Sequence, residues 1–346
     1  MNAGKRIIFM LLASTLSLIA MVGAVLVVDL YLHHRYESVA GLNIHGYRGP
    51  VAKRKQPGEQ RIVVLGGSTA LGYGLRWEES FPNVLERKVN EARQEHGQGP
   101  VSIVNLAANS EGAYAFKYNL RAYRHLDYDI ALFYTGYNDL GSVPNTSSFR
   151  KNSPIFQLTG YMPIFPLIFT EKAMAIRYNG NIEGAYRGER VVFKPNAAQR
   201  ATASALETIV SINKSLENQI GRLTNRPSDE EFAMLTESGG CGERWAFYCE
   251  QVSVAVDLII REGKRAIVVT QPYISDKHIS QQQAMVSMLR QQFGDNKKLR
   301  CANLGLVVDL KDPTLAYDGM HLTALGNEQV ADHLLDPVLE VLDSGR

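Results

Sequence analysis

The 346-residue sequence holds only three cysteines and two tryptophans, and its charges nearly cancel, with 37 Lys and Arg against 35 Asp and Glu. Three cysteines with no C-x-x-C pair and no His/Cys ligand spacing exclude a zinc-stapled or disulfide-dense scaffold, so neither metal nor cofactor is expected. The near-zero balance argues against a nucleic-acid partner, which usually leaves a strongly basic face. No internal repeat is present, and 13 Pro and 29 Gly are too few for a collagen-like chain. Against these absences, 45% hydrophobic and 21% charged residues are the composition of a chain that packs a core.

Charge is missing altogether from Ile7 to Val28, 22 positions long. At about 1.5 Å per residue, a helix of this length covers the roughly 30 Å hydrocarbon core of a bilayer. Lys5 and Arg6 precede it, whereas Asp29, Arg35, Glu37 and Arg48 behind it nearly cancel. That bias favours a cytoplasmic N-terminus and a periplasmic or extracellular domain. The rival reading is a cleaved signal peptide, whose apolar part is normally about 7–15 residues. Val22-Gly23-Ala24 is a passable cleavage site, but VLVV follows it directly. The expected organisation is therefore an anchor over 1–32, a polar, Gly- and Pro-dotted tether over 33–60, and one domain over 61–346. Cys241 and Cys249 lie within reach of a small disulfide loop in an oxidising compartment, which leaves Cys301 over.

Past the tether, short apolar runs alternate with helical periodicity. Arg61 to Leu65, Val101 to Leu106, Ile130 to Thr135, Ala266 to Thr270 and Leu304 to Leu310 read as strands. Helices are expected after Ser80 as N-cap, over Gly112 to Leu126, over His278 to Phe293 and from about Thr323 to Leu342. Five apolar strands alternating with helices predict an α/β fold with a doubly wound parallel sheet. An excursion over about 140–261 interrupts it. Its aromatic opening, Ser153 to Phe169, suits a lid, an acyl-chain surface, a membrane-resting patch or ordinary packing. Two helical stretches, Asn196 to Leu223 and Arg244 to Arg261, follow.

Ligands of a doubly wound sheet bind beyond the carboxyl ends of its strands. The first strand is followed there by Gly66-Gly67-Ser68, the second by Asn109-Ser110-Glu111-Gly112 and the third by Gly136-Tyr137-Asn138-Asp139. The last is followed by Asp318-Gly319-Met320-His321. A hydroxyl, a flexible turn, a carboxamide and a carboxylate–imidazole pair form an inventory for acyl transfer. Ser68 needs a base, His321 can supply one, and Asp318 can hold its tautomer. The N–H groups of Ser68 and Gly112 and the Asn138 amide are candidate oxyanion donors. The Gly-Gly-Ser-Thr and Asp-x-x-His fragments, each taken alone, are more often a plain turn or cap than a site; the order of all four blocks carries the assignment.

These four blocks resemble the SGNH (GDSL-type) hydrolases, with Ser68, Gly112, Asn138 and His321 at the four named positions and Gly67 where that family often has Asp. The resemblance covers roughly 61–139 and 264–342. It implies a flavodoxin-like five-stranded parallel sheet and a carboxylic-ester hydrolase, sometimes an acyltransferase. An α/β-hydrolase elbow is broken by Ala70, and GGSTALGYG fits neither G-x-G-x-x-G nor a P-loop. The reading is thus a membrane-anchored serine esterase acting on a glycan O-acyl group or a lipid ester. The alternatives are an acyltransferase on the same site and a membrane-anchored binding or assembly protein that keeps the fold without turnover.

Overall fold

A computed structural model describes residues 3–36, 41–177, 201–202, 204–211 and 241–344. The chain divides into two compact units, Met1–Glu37 with Pro163–Arg222, and Ser38–Met162 with Leu223–Arg346.

The first unit is led by α1, Ala3–Tyr36, whose apolar residues from Ile7 to Val28 are exposed. Its mean hydropathy reaches 2.5 over 18 consecutive residues. Asp29 follows the apolar run directly and is buried. Its Oδ1 accepts the backbone N–H groups of Ile164 and Phe165 at 2.9 and 2.6 Å, and its Oδ2 lies 3.4 Å from His33 Nε2. The carboxylate thereby caps the apolar helix Phe165–Arg177, whose first N–H groups have no intrahelical acceptor.

The second unit is built on five parallel strands: β1 Gln60–Gly66, β2 Val101–Asn105, β3 Ile130–Thr135, β4 Arg265–Thr270 and β5 Leu299–Asn303. Their order, β2-β1-β3-β4-β5, is that of a flavodoxin-like doubly wound sheet. Side chains alternate between the two faces, and both faces are covered, so β1, β3 and β4 are apolar almost throughout. On one face Val63, Leu65, Phe133 and Val268 pack with Phe116 and Leu120, with Val252 and Val256 of the helix Ala246–Arg261, and with Met285 of the helix Asp276–Phe293. On the other, the helices Phe81–Glu95 and Ala324–Asp343 pack together, and Phe81 meets Tyr134 at 4.9 Å between ring centroids.

Several elements depart from the sequence pattern, each for a physical reason. The fifth strand is Leu299–Asn303 rather than Leu304 to Leu310; it is an edge strand, three of its five residues are exposed, and it carries no apolar run. Leu304, Val308 and Leu310 are buried in the loop that follows, while Leu306 is 91% exposed. The expected helix over Gly112 to Leu126 is α-helical only over Phe116–Ala122, with single 3-10 turns on either side. The helix Ala246–Arg261, expected within the excursion, is the crossover between β3 and β4 and contributes to the core. Asn196 to Leu223 lies mostly outside the described residues.

The segment expected as a tether is packed over residues 41–49. Tyr47 is a core residue, and the Asn43 side chain closes the turn, accepting the His45 N–H at 2.9 Å and donating to Gly49 O at 2.9 Å. From the aromatic opening of the excursion, Phe156 and Met162 join the same core as Tyr47 and Tyr123. Neighbouring residues occupy much of the outer edge of β2. Glu86 Oε2 accepts the Ile103 N–H at 2.6 Å, Asn90 accepts the Val101 N–H at 2.9 Å and donates back to Val101 O at 2.8 Å, and Arg48 N donates to Asn105 O at 2.9 Å. Cys241 and Cys249 are joined by a disulfide and Cys301 is free.

Candidate active site

The chain passes from β1 to β2 on one side and then returns to β3 on the other, so the strand order switches direction between β1 and β3. The crevice at their carboxyl ends is where such a sheet binds ligands. The residues singled out in the sequence meet there.

At the end of β1 the backbone turns at once into the short helix Ser68–Leu71. Two glycines are needed because neighbours come too close for a side chain. A Cβ on Gly66 would lie 2.6 Å from Tyr134 O, and one on Gly67 would lie 2.1 Å from Asn138 Nδ2. Ser68 is the first helical residue, so its N–H has no acceptor within the helix. Tight closure at Gly72, which is left-handed with φ 77°, fixes the turn behind it.

The loop after β5 is pinched by a bridge between Ala316 and Leu322 and by the Tyr317 N–H donating to His321 O at 3.1 Å. Gly319, at φ +77°, supplies the left-handed bend between Asp318 and His321. Asp318 Oδ1 accepts the backbone N–H groups of Met320 and His321 at 3.0 and 2.6 Å, and Oδ2 lies 2.6 Å from His321 Nδ1. His321 Nε2 in turn lies 2.8 Å from Ser68 Oγ. The Asp318 carboxylate accepts only, so Nδ1 carries the hydrogen and Nε2 is left to accept from the serine hydroxyl. Burial pushes the Asp318 carboxyl up, but the hydrogen bonds from the His321 ring and backbone and the Met320 N–H outweigh it and hold the group below the usual carboxylate range. Both side chains remain slightly open to solvent, at 15% for Asp318 and 17% for His321.

The other two blocks come together beside Ser68. Asn138 Nδ2 donates to Glu111 O at 2.8 Å and keeps a second hydrogen for the crevice. Gly112 is extended, with φ −107° and ψ −165°, and a Cβ there would lie 2.3 Å from Asp139 Oδ1. Asp139 Oδ2 accepts the Ala113 N–H at 3.1 Å, which ties the second block to the third. Burial pushes the Asp139 carboxyl up to about 7, against the Ala113 N–H that favours its charged form. Gln271, at the end of β4, accepts the Tyr137 N–H at 2.7 Å and donates to Thr69 Oγ1 at 3.1 Å, linking the third block to the first.

Sequence reasoning missed several residues around this site. Tyr73 and Tyr317 flank the imidazole, with ring centroids 5.1 and 5.8 Å from that of His321, and the Tyr317 hydroxyl donates to Tyr73 O at 2.8 Å. Their signal was adjacency, since Tyr317 precedes Asp318 and Tyr73 lies five residues after Ser68. The partners of Glu111 left no signal, because its contact with Arg150 spans 39 residues.

No protein family and no curated protein matches the sequence. Among solved structures, the chain is similar to a psychrotrophic esterase from Pseudoalteromonas, at 11% identity and a TM-score of 0.42 over 82% of this chain and 99% of that one. It is also similar to a family 3 carbohydrate esterase from Clostridium thermocellum, at 10% identity and a TM-score of 0.39 over 83% and 98%. A protein placed in the G-D-S-L lipolytic family, from Desulfitobacterium hafniense, aligns at 10% identity and a TM-score of 0.40 over 80% and 98%. The assignment of the fold rests on the order and direction of the five strands.

Proposed function

We propose that this chain is a membrane-held serine esterase that hydrolyses an O-acyl ester through Ser68, His321 and Asp318. The observation that carries the reading is the unbroken relay from Asp318 Oδ2 through the imidazole to Ser68 Oγ, with steps of 2.6 and 2.8 Å, at the switch point of the sheet. Ser68 Oγ attacks the acyl carbon while His321 Nε2 takes its proton, and Asp318 stabilises the imidazolium. The oxyanion is met by the Ser68 and Gly112 N–H groups and the Asn138 amide. Collapse breaks the ester C–O bond, and the imidazolium returns the proton to the departing alcohol. Water then attacks the acyl-serine with His321 again as base, releasing the carboxylic acid and restoring the hydroxyl.

The apolar helix anchors the protein with its N-terminus in the cytoplasm and the domain outside. The basic residues before the helix support this orientation, as does the Cys241–Cys249 disulfide, a bond typical of oxidising compartments. The substrate is a glycan O-acyl group or a lipid ester. A fluorophosphonate probe tests the chemistry: one adduct is expected on Ser68 of the folded wild type and none on Ser68→Ala. Absence of an adduct on wild type, or equal labelling of the variant, refutes the esterase.

A further inference from the structure

The loop that carries Gly112 is held by a charged pair with almost no access to water. The side chains of Glu111 and Arg150 are each 1% exposed, and Arg150 Nη1 lies 3.0 Å from Glu111 Oε2. Every arm of the pair has further work. Glu111 Oε2 also accepts from Asn119 Nδ2 at 2.9 Å, and Oε1 accepts the Phe149 N–H at 2.8 Å. Arg150 Nε and Nη2 both donate to Gly46 O, at 3.1 and 2.6 Å, and Nε also meets the Tyr123 hydroxyl at 3.0 Å. That hydroxyl donates onward to His45 O at 2.6 Å.

Stability alone is a poor reason for such a pair. Desolvating two ions costs about as much as their attraction returns, and apolar residues of similar volume often serve as well. What distinguishes this one is its address. Glu111 O is the acceptor that orients the Asn138 amide, and the next peptide N–H is that of Gly112. The same carbonyl would lie 3.2 Å from a Cβ on Gly67, beside the serine. Two of the three oxyanion donors are therefore set by the position of one residue, whose side chain is clamped at both oxygens.

We propose that the buried Glu111–Arg150 pair is a positioning device for the oxyanion site, bracing Asn138 and Gly112 against the segment at Gly46. This rests on the serine-esterase reading given above. Arg150 neutralises Glu111, so the loop is rigidly held without adding net negative charge where an oxyanion must form. Neither residue touches the reacting atoms; both act through the Glu111 backbone.

Full-length wild type and Arg150→Ala, in detergent, test the idea on p-nitrophenyl acetate, with kcat expressed per fluorophosphonate-titratable Ser68. Backbone hydrogen exchange over residues 109–113 is followed in parallel. The expectation is a fall in kcat of about 30–300-fold, the range set by misplacing an oxyanion donor, with little change in KM. Exchange over 109–113 rises, and added guanidinium ion restores part of kcat. A purely structural pair would lower the melting temperature and the titratable fraction while kcat per titrated site stayed at the wild-type level; that result overturns the proposal. Glu111→Gln keeps the acceptor for the Phe149 N–H, and is read in the same way if Arg150→Ala does not fold. Wild type that neither turns over ester nor takes the label refutes the esterase. The exchange arm then still judges the brace, and unchanged protection over 109–113 in the variant overturns it.

Discussion

Replacing Asp318 by Asn tests the relay more sharply than deleting it. The amide oxygen of Asn at position 318 can keep the two backbone N–H groups now held at 3.0 and 2.6 Å, so the pinched loop retains its shape. That places the new NH2 where Oδ2 stood, 2.6 Å from His321 Nδ1. Two donors then face each other unless Nδ1 gives up its hydrogen and becomes the acceptor. The hydrogen moves to Nε2, which points at Ser68 Oγ 2.8 Å away and can no longer accept its proton. A wrong tautomer of this kind costs about 10⁴-fold in kcat, or about 5.5 kcal/mol of barrier. The assay is kcat on p-nitrophenyl acetate together with the rate of fluorophosphonate labelling, both expected to fall, with melting temperature near wild type at neutral pH. Asp318 is held below the usual carboxylate range in the fold, so its stabilising effect is present above the unfolded value and is lost as pH falls through the folded one. Wild type should therefore lose more stability than Asp318→Asn on acidification. A variant whose kcat stays within tenfold of wild type would refute this account of the base.

Asn138→Ala removes one oxyanion donor and is expected to lower kcat by about 10²–10³-fold with KM nearly unchanged; an effect confined to KM would assign the amide to ground-state binding instead. Asp139, pushed up to about 7 from 3.8, keeps its proton in the fold where the unfolded chain releases it. Its contribution is full below about pH 4 and declines as pH rises toward 7, by on the order of 4 kcal/mol. Asp139→Asn retains an acceptor for the Ala113 N–H, so melting curves should match wild type near pH 4 and lie above it at pH 8; equal curves at both pH values contradict the assignment. Asp29→Ala strips the acceptor from two buried N–H groups at the start of the helix Phe165–Arg177, a loss of about 1–2 kcal/mol. Faster hydrogen exchange over residues 164–168 is the readout, and unaltered exchange there would show that the cap contributes nothing.

The strands buried on both faces were legible, because a run such as Arg61 to Leu65 or Ile130 to Thr135 leaves no polar alternation to misread. β5 was not, since an edge strand of sequence LRCAN carries little apolar signal and a stronger run follows it in the loop. The residues of the candidate site could be named because each sits just past a strand end or in a compact motif. The contacts that hold them in place could not. Arg150 lies in the excursion and Gly46 in the supposed tether, and neither spacing nor composition relates them to Glu111. The packing of residues 41–49 was not legible for a similar reason: the polarity of the segment is real, but the Asn43 side chain donates to Gly49 O and the Arg48 guanidinium to Leu75 O.

A sheet with five strands in a row has two edges, and copies of a protein can meet along them. An open sheet edge under those conditions invites a neighbour's strand to add to it. At β2 the outward N–H groups of Val101 and Ile103 are already taken by Asn90 and Glu86, and the carbonyl of Asn105 by Arg48. A second copy arriving sideways finds most of the outward groups of this short strand already paired. Strand addition by a second copy along β2 is thereby disfavoured.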